Sequence, residues 1–396
     1  MHTAEASDSA TLELLDRQRI RYKNWLIDRA LPLWWERGTD RQRGGYFEAL
    51  NITDGTPAPL ARRARVQARQ CYSFAVGGSL GWNGPWQRAA LHGLEHLDAH
   101  YRRPDGLYGT LVSGDGATAD SSAKLYDQAF VLLACAWIRK TVPTEMAVTQ
   151  TATRIVERLV RDWRHPSGGF REAGTSPFVS NPHMHLLEAA LAWSEVDSGD
   201  LWRNLADEIV ALCQSKFICR ETSVLLEHFD ETWSPLPSEL GEIVEPGHQF
   251  EWAWLLERWA RSRSRKDAHE LATQLFAAGT RGVDGSRNVA VDEISRTFEV
   301  RRATARLWPQ TERLKAALLL AETNNQTSRR AYLGEAAAAA ESLWAYLQTP
   351  VAGLWRDKMR PDGGYVEEPA PASSFYHIVC AIGCLLAVGD HAPTET

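Results

Sequence analysis

Five short segments of the 396-residue chain set ionisable side chains at helical spacing beside aromatic ones. In RRARVQARQCYSFA (62–75), Arg65 and Arg69 lie four apart and share one helical face, with Tyr72 and Phe74 on the apolar continuation. In NPHMHLLEAAL (181–191), Asn181 and Pro182 suit a helix start, and His185 and Glu188 fall three apart on one face. In EPGHQFEWAWLL (245–256), Pro246 and Gly247 break the chain just before His248 and Glu251, which open a Trp-rich helix. ARLWPQTERLKAALLL (305–320) places Arg306, Trp308 and Glu312 around another helix start, and SSFYHIVCAIGCLL (373–386) holds His377 in an apolar helix.

Each segment has a plain structural explanation beside a chemical one. Arg65 and Arg69 suit a solvated helix end or the binding of an oxyanion. His183 and His185 resemble a metal pair, but alternate residues at a helix start point apart, and zinc needs a third protein ligand in register. No metal and no cofactor are therefore expected. A helix start with a carboxylate one turn on can orient the His248 imidazole and tune its proton affinity. Glu312 suits a helix cap, and a lone histidine such as His377 usually belongs to a core unless a partner arrives from elsewhere in the chain. Motifs of other chemistries are missing: no GxSxG elbow, no GxxxxGK[ST] loop and no GxGxxG after a strand. The remaining set suits proton abstraction beside a carbonyl, with a histidine base, a cation for the enediolate oxygen and carboxylates to orient the imidazoles.

The elements that must position these residues are helical. Apolar residues recur at three and four over 12–35, 86–101, 127–140, 146–163, 185–196, 201–217, 249–262, 266–280, 311–323, 328–348 and 375–388, with little β-pattern between. The loops repeat too, as RGGYFE (43–48), DGLYGTL (105–111), SGGFRE (167–172), HFDETW (228–233), VDGSRN (283–288) and AGLWRD (352–357). Taking Gly45, Gly106, Gly168, Phe229, Gly285 and Gly353 as markers, the steps are 61, 62, 61, 56 and 68 residues. Six two-helix units of this size predict an all-α (α/α)6 barrel, a toroid of six helical hairpins that buries its core by stacking neighbours. An open helical solenoid is the alternative. No Pro/Gly/Ser-rich linker interrupts the pattern, so one catalytic domain over 1–396 is expected.

Composition narrows the function. The 50 acidic and 44 basic residues leave a net charge of −6 without a basic block, which argues against nucleic acid as a partner. The longest apolar runs, VLLACAWI (131–138) and CAIGCLLAV (380–388), fall far short of a membrane span, and residues 1–10 carry no secretory signal. Six Cys without disulfide or CxxC spacing point to reduced, buried thiols and the cytoplasm. Sixteen Trp suit a large core, but Trp252, Trp254 and Trp308 fall in or beside the pocket motifs, where an indole face can pack against a sugar ring.

In QARQ (67–70), NPHMHLLEA (181–189), EPGHQFEWAW (245–254), LWPQTE (307–312) and FYH (375–377), taken in order, the chain resembles the N-acylglucosamine 2-epimerase superfamily, and within it the aldose–ketose isomerases of mannose and related sugars. The resemblance spans about Asn24 to Leu386. It implies an (α/α)6 barrel acting on a monosaccharide, as monomer or homodimer, with His248 and His377 as the acid/base pair and Arg69 on the oxygens of carbons 1 and 2. His185, Glu188 and Glu251 become pocket residues and Trp308 a wall; Asn181, Arg65 and Glu312 complete the expected substrate-binding set. The expected reaction is metal-free conversion of D-mannose to D-fructose through a cis-enediolate. A sugar 2-epimerase stands second and a sulfosugar isomerase, with Arg65 or Arg306 on the sulfonate, third. An inverting glycoside hydrolase using Glu188 and Glu251 and a non-enzymatic helical scaffold complete the alternatives.

Overall fold

A computed structural model describes residues 2–114, 116–171 and 178–388. The first half of the chain forms helices α1 (His2–Trp25), α2 (Leu31–Glu36), α3 (Ala64–Ser79), α4 (Trp86–His100), α5 (Leu125–Thr141), α6 (Ala147–Asp162) and α7 (Ser180–Ser194). The second half forms α8 (Asp200–Leu212), α9 (Pro246–Arg263), α10 (Lys266–Thr280), α11 (Leu307–Thr323), α12 (Gln326–Tyr346) and α13 (Phe375–Ala387). Helices α3, α5, α7, α9, α11 and α13 pack in that order around the axis, and α13 returns to pack on α3, which closes the ring. The chain is an (α/α)6 barrel, not an open solenoid.

Burial separates the two layers. On α5, consecutive residues Phe130, Val131, Leu132 and Leu133 are all buried, so every face of an inner helix meets protein. The outer helix α6 buries only Val148, Thr151, Ala152, Ile155, Val156 and Leu159, the one-sided stripe of a surface helix. Outer helices reach the next inner helix through long connections, such as 101–124 and 281–306, whereas inner helices turn back through short ones, such as 264–265 and 324–325. All inner N-termini therefore open at the long-loop mouth, where loops can carry function without disturbing the core.

Short antiparallel ladders stitch neighbouring loops together at that mouth. Arg62–Arg63 pairs with Gly109–Val112, Phe178–Val179 with His228–Phe229, and Ala305–Arg306 with Lys358–Met359. Ala49–Leu50 with Ala370–Pro371 closes the circle between the first and last repeats. The helical periodicity does not foretell these ladders, because two-residue strands leave no alternation to detect.

A recurring anchor holds the hairpin to its inner helix in five of the six repeats. Gln67, Gln128, Gln249 and Gln310 each accept from the backbone N–H and donate to the C=O of one hairpin residue (Tyr46, Tyr108, Leu225 and Ala290) at 2.7–3.0 Å. A side-chain amide mimics a peptide group, so it satisfies both buried backbone groups at once. In the third repeat His183 takes the place, with Nε2 accepting from Phe170 N–H at 2.9 Å and Nδ1 on the Val179 carbonyl at 2.9 Å.

Some expected boundaries shift. The helix expected over 12–35 is interrupted by a wide turn at Leu26–Ala30 before α2. The fourth repeat makes its equivalent hairpin at Ile218↔Leu225, with Ser223 at φ 58°, rather than around Phe229. Gly45, at φ +70°, is required by its turn, since a Cβ there would fall 2.3 Å from His96 Cδ2. Glu172 of SGGFRE and residues 389–396 of the expected domain lie outside the described residues.

Candidate active site

Counting two residues on from each anchor along the inner helices gives Arg69, Phe130, His185, Glu251 and Glu312. A two-residue step in the first turn rotates a side chain by over half a circle, from the loops towards the barrel axis. The sequence thereby places one inward residue on each of five inner helices, and Arg69, His185 and Glu251 of these line a common cavity. That cavity, of about 190 Å³, is walled among others by Arg69, Asn181, His185, His248, Glu251 and His377.

Trp308 stands between the two candidate acid/base histidines, its ring centroid 5.0 Å from His248 and 5.6 Å from His377. His377 Nδ1 donates to Glu312 Oε1 at 2.8 Å, which leaves Nε2 with its lone pair for the cavity. Burial pushes His377 well below the ordinary histidine range, and the neighbouring Arg69 and Lys315 cations push it further. His377 is therefore neutral at pH 7. His248 Nδ1 lies 3.0 Å from Glu227 Oε2 and 4.0 Å from Glu245 Oε1. Burial alone would lower its pKa, but Glu227 and Glu245 outweigh that and raise it to about 10. His248 is therefore charged at pH 7.

Arg69 is held rigidly: it donates to the Ser373 carbonyl at 3.1 Å and to Tyr126 Oη at 2.7 Å, and its guanidinium carbon sits 4.0 Å over the Phe130 ring. Its Nε, together with Asn181 Oδ1 and Glu251 Oε1, is buried without a hydrogen-bond partner among the described residues. His248 Nδ1, ion-paired with Glu227, also lacks a hydrogen bond of good geometry, and four such groups on the wall of one polar cavity match the needs of a polyhydroxylated ligand. On the floor, burial lowers His185 to about 4, and its Nδ1 lies 3.5 Å from Glu188 and 3.7 Å from Glu251. Burial and the like charge of Glu312 raise Glu251 well above a normal carboxyl.

Among the predicted residues, Arg69, Asn181, His185, His248, Glu251, Trp308 and His377 all reach the cavity. Glu188 and Glu312 do not: Glu188 lies below, accepting from Tyr376 Oη, and Glu312 supports His377 from behind. Arg65 also stays off the cavity wall, because Asp127 Oδ1 holds it at 3.1 Å. Trp252 and Trp254 are core rather than sugar platforms; Trp252 packs on Phe217, and Trp254 carries the Lys315 ammonium 4.0 Å above its ring. No sequence pattern marks Lys315. Fully buried, it meets Glu312 Oε2 at 2.6 Å and supplies the counter-charge that three buried carboxylates demand. Tyr126, Glu245, Asp357 and Ser373 also line the cavity, and they too fall outside the sequence-predicted set.

Two sets of potential metal ligands arise here, His185/Glu188/Glu251 and Glu251/Glu312/His377, each with ligand atoms within 4.8 Å of one another. Lys315, 2.6 Å from Glu312 Oε2, already supplies a cation beside the second set, and its charge also reaches Glu251 and Glu188. The described cysteines carry no disulfide, and no described helix is long and apolar enough to cross a membrane.

Comparison with known proteins places this barrel in the sugar isomerase and epimerase class. The sequence profile of N-acylglucosamine 2-epimerase (GlcNAc 2-epimerase) matches residues 45–381, and the chain belongs to that family. It is 47% identical over 364 residues to a protein of Rhizobium meliloti (strain 1021) named mannose-6-phosphate isomerase, covering 90% of this chain and 94% of that one. It is 29% identical over 252 residues to the D-mannose isomerase of Pseudomonas cannabina pv. alisalensis, across 56% of this chain and 59% of the relative. Among solved structures, a D-mannose isomerase superposes with a TM-score of 0.84 at 20% identity, covering 93% of this chain and 97% of that one. The cellobiose 2-epimerase of Spirochaeta thermophila DSM 6192 gives 0.83 at 19%, covering 95% and 97% respectively. At these identities the structural matches speak for the fold alone.

Proposed function

We propose that the chain interconverts a mannose-configured aldose with its ketose, D-mannose with D-fructose in the simplest case. The observation that carries this reading is the pair of histidines on one small cavity, one charged and one neutral at the same pH. His248, as acid, donates a proton to the ring oxygen while the carbon 1 hydroxyl gives its proton to solvent, which opens the pyranose, and solvent then reprotonates His248. His377 Nε2 then removes the proton from carbon 2, and the electron pair forms the double bond between carbons 1 and 2. Arg69 holds the resulting enediolate oxygens, which suits a rigid, desolvated guanidinium. The proton on His377 exchanges with solvent while the enediolate lasts, and His377 then delivers a proton to carbon 1 as the proton on oxygen 2 passes to oxygen 1, leaving the ketose. The names borne by the 47% and 29% identical relatives support a mannose-configured substrate.

The 2-epimerase reading is second, because His248 and His377 face the cavity from different helices and could serve opposite faces of carbon 2. The hydrolase reading loses ground. An inverting pair needs room for a water, roughly 6.5–9.5 Å between carboxyls, whereas Glu188 and Glu251 approach within 4.8 Å around His185.

Incubation with D-mannose in D2O tests the proposal. Fructose bearing deuterium at carbon 1, with little glucose, is the expected product. Glucose deuterated at carbon 2 in comparable amount would replace the isomerase reading by the epimerase one. Absence of both products, from mannose and from its phosphate ester, would sink it.

A further inference from the structure

Outward from the catalytic cavity a second chamber of about 440 Å³ opens at the long-loop mouth, sharing Arg69, Tyr126, Asn181 and Glu245 as its inner wall. Its outer wall is cationic: Arg63, Arg65 and Lys124, with His228 beside them. Arg63 and Lys124 are also the N-cap residues of α3 and α5, and Val179, on the same wall, caps α7; none of the three caps its helix through a side chain. Three helix N-termini thus add their positive ends to three cationic side chains.

The charges on this wall are only partly answered. Arg65 is tied to Asp127 and Arg63 to Glu48. Lys124 makes no ion pair among the described residues; Asp120 and Asp127 feel its charge only at a distance. His228 Nδ1 is buried without a hydrogen-bond partner among the described residues. Of the two carboxylates that also line the chamber, Glu245 is tied to Arg306 at 2.9 Å, while Glu227 meets His248 and Ser180 through Oε2 and keeps its buried Oε1 without a hydrogen-bond partner among the described residues. A neutral hexose needs none of this excess charge, so the chamber asks for an anion on the substrate.

We infer that the outer chamber seats a phosphate monoester on carbon 6 of the hexose, with Lys124 and Arg65 as its principal contacts. The inference rests on the isomerase reading of the inner cavity. With carbons 1 and 2 at His377, carbon 6 is the far end of the sugar and its substituent projects towards the mouth. A phosphate monoester carries between one and two negative charges at pH 7, and its oxygens accept several charge-assisted hydrogen bonds, for which an arginine fork beside an unpaired ammonium is suited.

Steady-state kinetics with D-mannose and D-mannose 6-phosphate, on the wild type and on Lys124→Met, tests it. The wild type is expected to favour the phosphorylated sugar at least tenfold in kcat/KM, through a lower KM. Lys124→Met should cut that ratio about tenfold, again through KM, and Arg65→Met should act the same way. Inorganic phosphate should compete with the phosphorylated sugar, and more weakly in Lys124→Met. Equal kcat/KM for the two sugars, or a ratio untouched by Lys124→Met, overturns the phosphate seat while leaving the isomerase reading intact. If neither sugar is turned over, the isomerase reading fails, and calorimetric titration with inorganic phosphate then decides the seat alone. Binding that Lys124→Met weakens about tenfold supports an anion site, whereas no heat of binding refutes it.

Discussion

His248 and His377 flank the same indole, yet their surroundings drive their protons in opposite directions. Both imidazoles are buried, which by itself expels a proton from each. Around His248 the carboxylates of Glu227 and Glu245 overcome that penalty; around His377 the Arg69 and Lys315 cations reinforce it. Two copies of one side chain thus hold opposite charge within a single cavity, the division on which the proposed acid and base roles rest. The difference lies in what each repeat places behind its histidine. Helix α9 starts among loop carboxylates, while α13 completes the ring next to the guanidinium of α3 and the ammonium of α11.

Removing the base breaks the comparison most severely. His377→Ala should lower turnover by about three orders of magnitude, the scale of general base catalysis, and abolish deuterium exchange at carbon 2. Exchange at the wild-type rate in a folded variant would refute its role. A smaller, directional effect belongs to the other corner. The wild-type pH profile of kcat/KM should rise as His377 deprotonates, on the acid side of 6.5, and fall as His248 loses its proton near pH 10. Glu227→Gln removes the largest force holding that proton, so the alkaline limb should move down towards neutrality while the acid limb stays in place. An unmoved alkaline limb would mean that His248 is not the acid. Smallest of all is the effect expected of a chelator. With Lys315 neutralising the floor, prolonged EDTA treatment should leave turnover within about twofold, a change too small for loss of an essential metal ion. Loss restored by a divalent cation would instead assign the His185/Glu188/Glu251 set to a metal.

Much of the site is legible in the amino-acid order, because the inner-helix starts combine a break, a polar residue and an apolar run. The Gln anchors carry a further signal of the same kind: Gln67, Gln128, Gln249 and Gln310 each lie two residues before an inward position, and His183 takes the same place before His185. That regularity also explains why His183 is structural while His185 is not. Glu227 and Lys124 are hidden from such reasoning, since they sit in loops where no periodicity marks a direction. Lys315 is hidden for a different reason. A lysine in an apolar helix suggests solvent, and only the carboxylates of α7, α9 and α11 converging on it make burial tolerable.

The order of the repeats, the helical hairpins and the identity of the inward residues are already present in the amino-acid order, because each depends on spacing within one segment. The pairing of those residues is not. His377 meets Glu312 across 65 residues, Tyr376 meets Glu188 across 188, and Arg69 reaches the Ser373 carbonyl across 304. Such contacts exist only once the ring closes. Proton affinity is set by neighbours in space, so the division between acid and base arises from closure rather than from any local motif.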